Sequence, residues 1–174
     1  IGTAQGSPIS PLLANIYLNE FDKELMSRGL HFVRYADDCI ICVKSEAAAN
    51  RVMSSVTKWL TEHLRVEVNA TKTKVARPKE IKYLGFSFYQ KNGEWKPKPH
   101  IKSVKKLEYK LKPLLKRNWG VSMEYRMKKI NEVTRGWINY YRIADMKRIL
   151  TRIEDKIRFH IRMCYWKQWK TVKN

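Results

Sequence analysis

Two adjacent carboxylates, Asp37 and Asp38, interrupt the otherwise apolar run "FVRYADDCIICV" at residues 32–43. Burying one carboxylate without a partner is costly, and burying two side by side is worse. The flanking "LHFVRYA" and "CIICV" segments read as short strands rich in β-branched and aromatic residues. The pair therefore falls at a hairpin tip, where side chains project away from a core. Neighbouring carboxylates repel unless a cation sits between them. Hard oxygen ligands select Mg²⁺, which also takes substrate phosphates as co-ligands. Two such ions can clamp the attacking and leaving oxygens of a phosphoryl transfer. Ordinary turn chemistry is the competing use of an Asp pair. The apolar flanks and a downstream polycation favour the metal.

That polycation is the second feature with chemical content. The formal charge is +20 over 174 residues. Residues 1–90 hold 12 Lys+Arg against 9 Asp+Glu, net +3, whereas residues 91–174 hold 24 against 7, net +17. Five of the six tryptophans also lie in the second part. Basic side chains interleaved with aromatics suit phosphate neutralisation and base stacking. A Lys-rich solvated face on a helical bundle is the plainer alternative.

Other signals exclude more than they assert. Cys39 and Cys42 have the spacing of a redox or zinc half-site, but positions i and i+3 of a strand face opposite sides. His31, His63, His100 and His160 form no cluster with ligand spacing. Three cysteines are an odd number without framework spacing, which fits a reducing compartment. No apolar run approaches a membrane span. The chain opens on Ile1 and runs straight into patterned sequence, so a piece of a longer protein is expected.

The elements that must position these residues follow from periodicity. Ser10 is expected to cap a first helix, with Pro11 in its first turn, Leu13, Ile16, Tyr17, Phe21 and Leu25 on one face, and Gly29 as its stop. Ser45 and Glu46 start a second helix, with Ala49, Val52, Met53, Val56, Trp59, Leu60 and His63 on one face. "VEVNATKTKVARP" is expected as strand, turn and strand. "KYLGFSFYQKNGEWKPKP" is expected as a hairpin with a type I′ turn at Asn92-Gly93. Beyond His100 the pattern is helical only. Val104, Leu107, Leu111, Leu114 and Leu115 mark a third helix with a kink at Pro113. Ser122 caps a fourth, and Asp145 is expected to cap a fifth. The Pro/Lys-rich "KPKPHIKS" reads as a connector. The fold class is α+β: an antiparallel sheet with helices over residues 1–98, then an all-α unit of three helices over 99–174.

With these elements in place, the chain resembles the reverse transcriptases of group II introns. "YADD" between two apolar strands resembles their catalytic motif. "AQGSPISPLLANIYLNEFD" resembles the preceding template-facing loop and helix. "NATKTKV" resembles the next motif, where a lysine lies near the incoming triphosphate. "KYLGFSF" resembles the primer-grip hairpin, and "RGWINYYRIAD" followed by "WKQWK" resembles the thumb or maturase domain. Five motifs stand in the family order.

The resemblance implies the later part of a polymerase palm over 1–98 and a thumb or maturase domain over 99–174. It implies a two-ion Mg²⁺ site on Asp37 and Asp38, with Lys72 (Lys74 second) neutralising or protonating the leaving pyrophosphate. Gln5, Gly6, Ser7 and Pro8 would face the template. Tyr35 and Ala36 would shape the approach of the nucleotide, a core role being equally open. Tyr83, Leu84, Gly85 and Phe86 would steady the primer end, although Leu84 and Phe86 serve equally as core. Tyr140 and Tyr141 stack either on bases or in a core. Lys105, Lys106, Arg126, Lys128, Lys129, Arg148 and Arg152 avoid the apolar stripes and form the expected phosphate face.

The family's remaining metal-binding aspartate, upstream of the Gln-Gly loop, has no counterpart in these residues. The metal site is therefore expected to be incomplete, and residues 1–174 alone are expected not to polymerise. The implied partners are RNA template, RNA/DNA duplex, dNTP and intron RNA, with no membrane and room for a dimer of the parent protein. The implied setting is the cytoplasm of a bacterium or the interior of an organelle. A second reading is a non-catalytic, RNA-binding maturase segment that assists intron folding and splicing. A DNA-binding regulator fits less well, because no helix-turn-helix spacing is evident.

Overall fold

The computed structural model describes residues 7–69 and 71–169. The chain divides into two compact units, Ile1–Ala76 and Arg77–Asn174. Among the described residues, five helices and two antiparallel hairpins make an α+β fold. The division falls well before the Pro/Lys-rich connector, so the second hairpin belongs with the helices that follow it. The partition also sharpens the charge asymmetry. The first unit carries 9 Lys+Arg against 8 Asp+Glu, net +1, and the second 27 against 8, net +19.

The first unit runs α1 (Ser10–Ser27), β1 (His31–Tyr35), β2 (Asp38–Cys42) and α2 (Glu46–His63). Pro11 stands in the first turn of α1, but the N-cap is Ile9 and makes no side-chain cap bond, so Ser10 is the first helical residue instead of the cap. The helix stops as expected. Gly29, at φ +65°, donates to the Met26 carbonyl while Leu30 donates to that of Leu25. These two bonds form a Schellman motif and satisfy carbonyls that the helix end leaves open. Ser45 caps α2 by accepting from the Ala48 N–H.

Phe21 and Leu25 of α1, with Leu60 and Leu64 at the end of α2, form the core, and Leu30, Phe32, Cys39, Ile41 and Trp59 pack around it. Full burial of Leu25 alone contributes about 2 kcal/mol. The expected apolar face of α1 is only half used: Leu13, Ile16 and Tyr17 stay exposed. The expected strands in "VEVNATKTKVARP" do not form among the described residues. Val66 and Val68 rest on the core without a ladder. Asn69 instead folds the chain, its side-chain oxygen accepting from the N–H groups of Thr71 and Lys72.

The second unit opens with a short 3-10 turn at Pro78–Glu80. It continues through β3 (Phe86–Lys91), β4 (Glu94–Pro99), α3 (Ile101–Leu114), α4 (Met123–Tyr141) and α5 (Lys147–Trp169). Asn92 and Gly93, at φ +52° and +82°, make the two-residue turn that pairs Lys91 with Glu94, as the Asn-Gly dipeptide predicts for type I′. Val104, Leu107, Leu111 and Leu115 meet Ile130 and Ile153 in the core. Pro113 produces no mid-helix kink, because α3 ends one residue after it. Ser122 caps α4, accepting from the Tyr125 N–H. Asp145 lies ahead of α5, and its carboxylate accepts from the Tyr89 hydroxyl and the Lys147 backbone N–H. The tyrosine hydroxyl is the main reason the Asp145 carboxyl titrates below its ordinary range.

Candidate functional site

β1 and β2 are joined by a two-residue turn, with Tyr35 paired to Asp38 across the ladder. Ala36 and Asp37 form the turn and Asp38 opens β2. Both carboxylates are exposed. Ala36 has φ +54°, a left-handed conformation uncommon outside glycine. Tyr35 is 65 % exposed, which excludes a core role for it.

The turn is fixed by a residue that motif reading passed over. Strand alternation places Arg34 on the inner side of β1 with Phe32, facing α1. Its guanidinium grips Asp22 with two bonds, Nε to Oδ1 at 2.7 Å and Nη2 to Oδ2 at 2.5 Å. Nη1 donates to the Asn15 side-chain oxygen at 3.1 Å and to the Ala36 carbonyl at 2.8 Å. Asn15 and Asp22 are seven apart, two turns along one face of α1. One guanidinium therefore ties that helix to the Ala36–Asp37 peptide of the turn, with the ion pair largely shielded from water. The signal in the sequence was an arginine on the inward side of a half-buried strand, which demands a carboxylate partner. Arg34→Lys keeps the charge but loses the fork. Urea denaturation is expected to show a loss of about 1–2 kcal/mol, and a loss under about 0.3 kcal/mol would mean the clamp contributes nothing.

Cys39 lies beside this clamp. Burial, then the Asp22 charge, push its thiol up to about 11, with Arg34 opposing. The thiol is therefore protonated at neutral pH and a poor metal ligand.

Among the described residues no three His, Cys, Asp or Glu side chains form a group able to hold a metal ion. Asp37 and Asp38 do supply two adjacent, exposed hard-oxygen donors. That set fits Mg²⁺, which completes its shell with waters and substrate phosphates. Lys72 is exposed on the separate Asn69 turn, and Lys74 is also exposed. Gln5 and Gly6 lie outside the described residues. Ser7 is half-buried, its carbonyl accepting from the Ser10 N–H at 3.2 Å, and Pro8 is exposed.

In the second unit, Tyr83 and Phe86 exchange both backbone bonds, at 3.0 and 2.8 Å, across Leu84 and Gly85. These two have φ +48° and +83°, so "YLGF" is itself a tight turn of the I′ kind just before β3. All four residues are half-buried.

The seven basic residues expected on a phosphate face separate into groups. Lys105, Lys106, Lys128 and Arg148 are exposed. Lys129 is bonded to Glu132 at 2.8 Å, which raises its pKa, and Arg152 lies 3.5 Å from Glu108. Arg126 is a correction. It is only 2 % exposed, and its guanidinium donates to the carbonyls of Leu114, Lys116 and Trp119 at 2.5, 2.9 and 2.8 Å. It closes the C-terminal end of α3 and stacks over Trp119, 5.0 Å from the ring centre. Position four along α4 from the Ser122 cap points inward, which the charge of the residue had concealed. A groove of about 400 Å³, lined by Tyr109, Lys112, Lys156 and His160 with Glu108 and Leu115, adds basic and aromatic surface that stripe counting did not single out.

Among curated proteins the comparison finds no match. Two families do match the chain. Reverse transcriptase (RNA-dependent DNA polymerase) matches residues 1–88, and Group II intron, maturase-specific domain, matches residues 104–174. The first spans half the chain and contains the Asp37–Asp38 turn; the second contains most of the polycationic helices. The chain therefore belongs to the reverse transcriptase family, in its group II intron form with a maturase-specific domain.

Proposed function

We propose that this chain serves RNA-templated DNA synthesis, contributing two carboxylate ligands of the metal site, the turn that steadies the primer end, and a basic helical unit that grips the template–primer duplex. The observation that carries the reading is the exposed Asp37–Asp38 pair on a turn held by the Arg34–Asp22 clamp, in a chain of reverse transcriptase sequence. Asp37 and Asp38 would hold Mg²⁺, which when bound supplies charge neutralisation at the phosphates and favours ionisation of the primer 3′-hydroxyl. Arg34 keeps the turn in one geometry, so the carboxylates need no reorganisation on substrate binding. Lys72 is the candidate to neutralise the leaving pyrophosphate, and Ser7 and Pro8 with Gln5 and Gly6 the candidates to face the template. We assign residues 1–98 to the palm and 99–174 to the thumb or maturase domain, a functional division distinct from the compact units.

Templated primer extension by the full-length protein, with Mg²⁺ and all four dNTPs, tests this reading. No incorporation on an RNA template would overturn it.

The second reading is that the basic unit grips intron RNA and assists splicing, and the maturase-specific match favours it. The two functions can reside in one protein. Changing Asp37 and Asp38 together to Ala is expected to remove extension and leave splicing intact.

Both readings require phosphate contacts. With about five to eight phosphates neutralised, log affinity for an RNA duplex is expected to fall against log salt with a slope of roughly −4 to −7. Lys105, Lys106, Lys128 and Arg148 changed singly are each expected to reduce that slope by about one. A slope near zero would make the polycation a solvated surface only.

A further inference from the structure

The Tyr83–Phe86 turn is held from outside by side chains of α3 and α4. The Tyr140 hydroxyl donates to the Leu84 carbonyl at 2.8 Å, and the Ser103 hydroxyl donates to the Gly85 carbonyl at 3.0 Å. The His100 backbone N–H donates to that same Gly85 oxygen at 2.9 Å. Both carbonyls of the turn's central residues are thus engaged. The Phe86 ring lies 5.7 Å from that of Tyr140 and 4.9 Å from that of Tyr141.

Gly85 meets Tyr141 closely. A Cβ added there would stand 2.3 Å from the Tyr141 hydroxyl oxygen and 3.1 Å from Ser103 Oγ. Glycine at this position therefore serves twice, supplying the left-handed backbone and the room for a buried tyrosine. Adjacent helical residues diverge by about 100°. That is why Tyr141 goes into the core at 6 % exposure while Tyr140, at 55 %, reaches the turn from the rim.

We infer that Tyr140 and Tyr141 are positioning residues: through the Leu84 carbonyl and the Gly85 backbone they hold the Tyr83–Phe86 turn in the shape that receives the primer 3′ end. The assignment rests on the reading that this turn contacts the primer. It links a helix of the maturase-specific region to a turn of the polymerase region within one compact unit. It also gives the tyrosine pair a task other than stacking on RNA bases, since a hydroxyl committed to a backbone carbonyl fixes its ring in place.

Steady-state primer extension by the full-length protein tests this, with KM measured separately for primer–template and for dNTP. Tyr140→Phe removes one hydroxyl from a half-exposed ring. It is expected to raise KM for primer–template about 3- to 10-fold, the equivalent of one lost hydrogen bond, while KM for dNTP and the melting temperature stay unchanged. Gly85→Ala is expected to raise the primer–template KM further, and Tyr141→Phe in that background to recover part of the loss by vacating the space the new methyl needs. If Gly85→Ala leaves the primer–template KM unaltered, the turn does not contact the primer, and the inference falls with that reading. If Gly85→Ala raises it and Tyr140→Phe does not, the primer reading stands and the tyrosine clasp is overturned. A Tyr140→Phe protein that melts lower, with kcat and both KM values shifted together, would show a structural role alone.

Discussion

Full-length protein carrying Asp37→Asn or Asp38→Asn is expected to fold normally, bind RNA normally and fail to extend a primer. The amide preserves shape and loses the negative charge that holds Mg²⁺. Metal stabilisation of a phosphoryl-transfer transition state is worth several kcal/mol, and about 4 kcal/mol corresponds to roughly a 10³-fold loss in rate. Stability should be little affected. Both carboxylates are exposed, and Asp37 sits in a turn where Asn is equally at home. RNA affinity should hold within about twofold, because the phosphate term resides in Lys and Arg of the other unit. Extension rates and a binding titration on the same preparations decide it. Extension within tenfold of wild type by either variant would remove that residue from the metal site.

Arg126→Met is expected to be the most destabilising single change in the basic unit, at about 3 kcal/mol. Methionine fills much of the volume but leaves the carbonyls of Leu114, Lys116 and Trp119 without the guanidinium, and the Trp119 ring without its cation. For a unit of this size the loss corresponds to a fall in melting temperature on the order of 10–20 °C. Arg126→Lys should recover only a part, since an ammonium cannot span three acceptors in the plane of a fork. The salt dependence of RNA binding should not change, in contrast to the expected effect of Lys105 or Arg148. A stable Arg126→Met protein with a salt slope reduced by about one would return this residue to the phosphate face.

The contrast between Arg126 and Lys105 marks where reading the chain reaches its limit. Features set within a few consecutive residues were legible. Asn92-Gly93 formed its turn, Ser45 and Ser122 capped their helices, Gly29 closed α1, and the Asp pair came to an exposed tip between two strands. Each depends on backbone dihedrals and on hydrogen bonds made three or four residues away, which residue type and spacing specify directly. The charge asymmetry and the family motifs were equally independent of packing. Only the tertiary structure decided which charges are committed. Arg34 finds Asp22 and Arg126 finds the Leu114 carbonyl, each twelve residues away, on an element whose approach no local pattern reports. The same holds for Leu13 and Ile16, correctly spaced on α1 yet exposed. It holds too for residues 66–78, where Val66 and Val68 alternate like a strand but join no ladder among the described residues. Periodicity determines which side chains share a face; the partner brought against that face determines whether they are buried, and a polar head group is used or left to solvent by that partner alone.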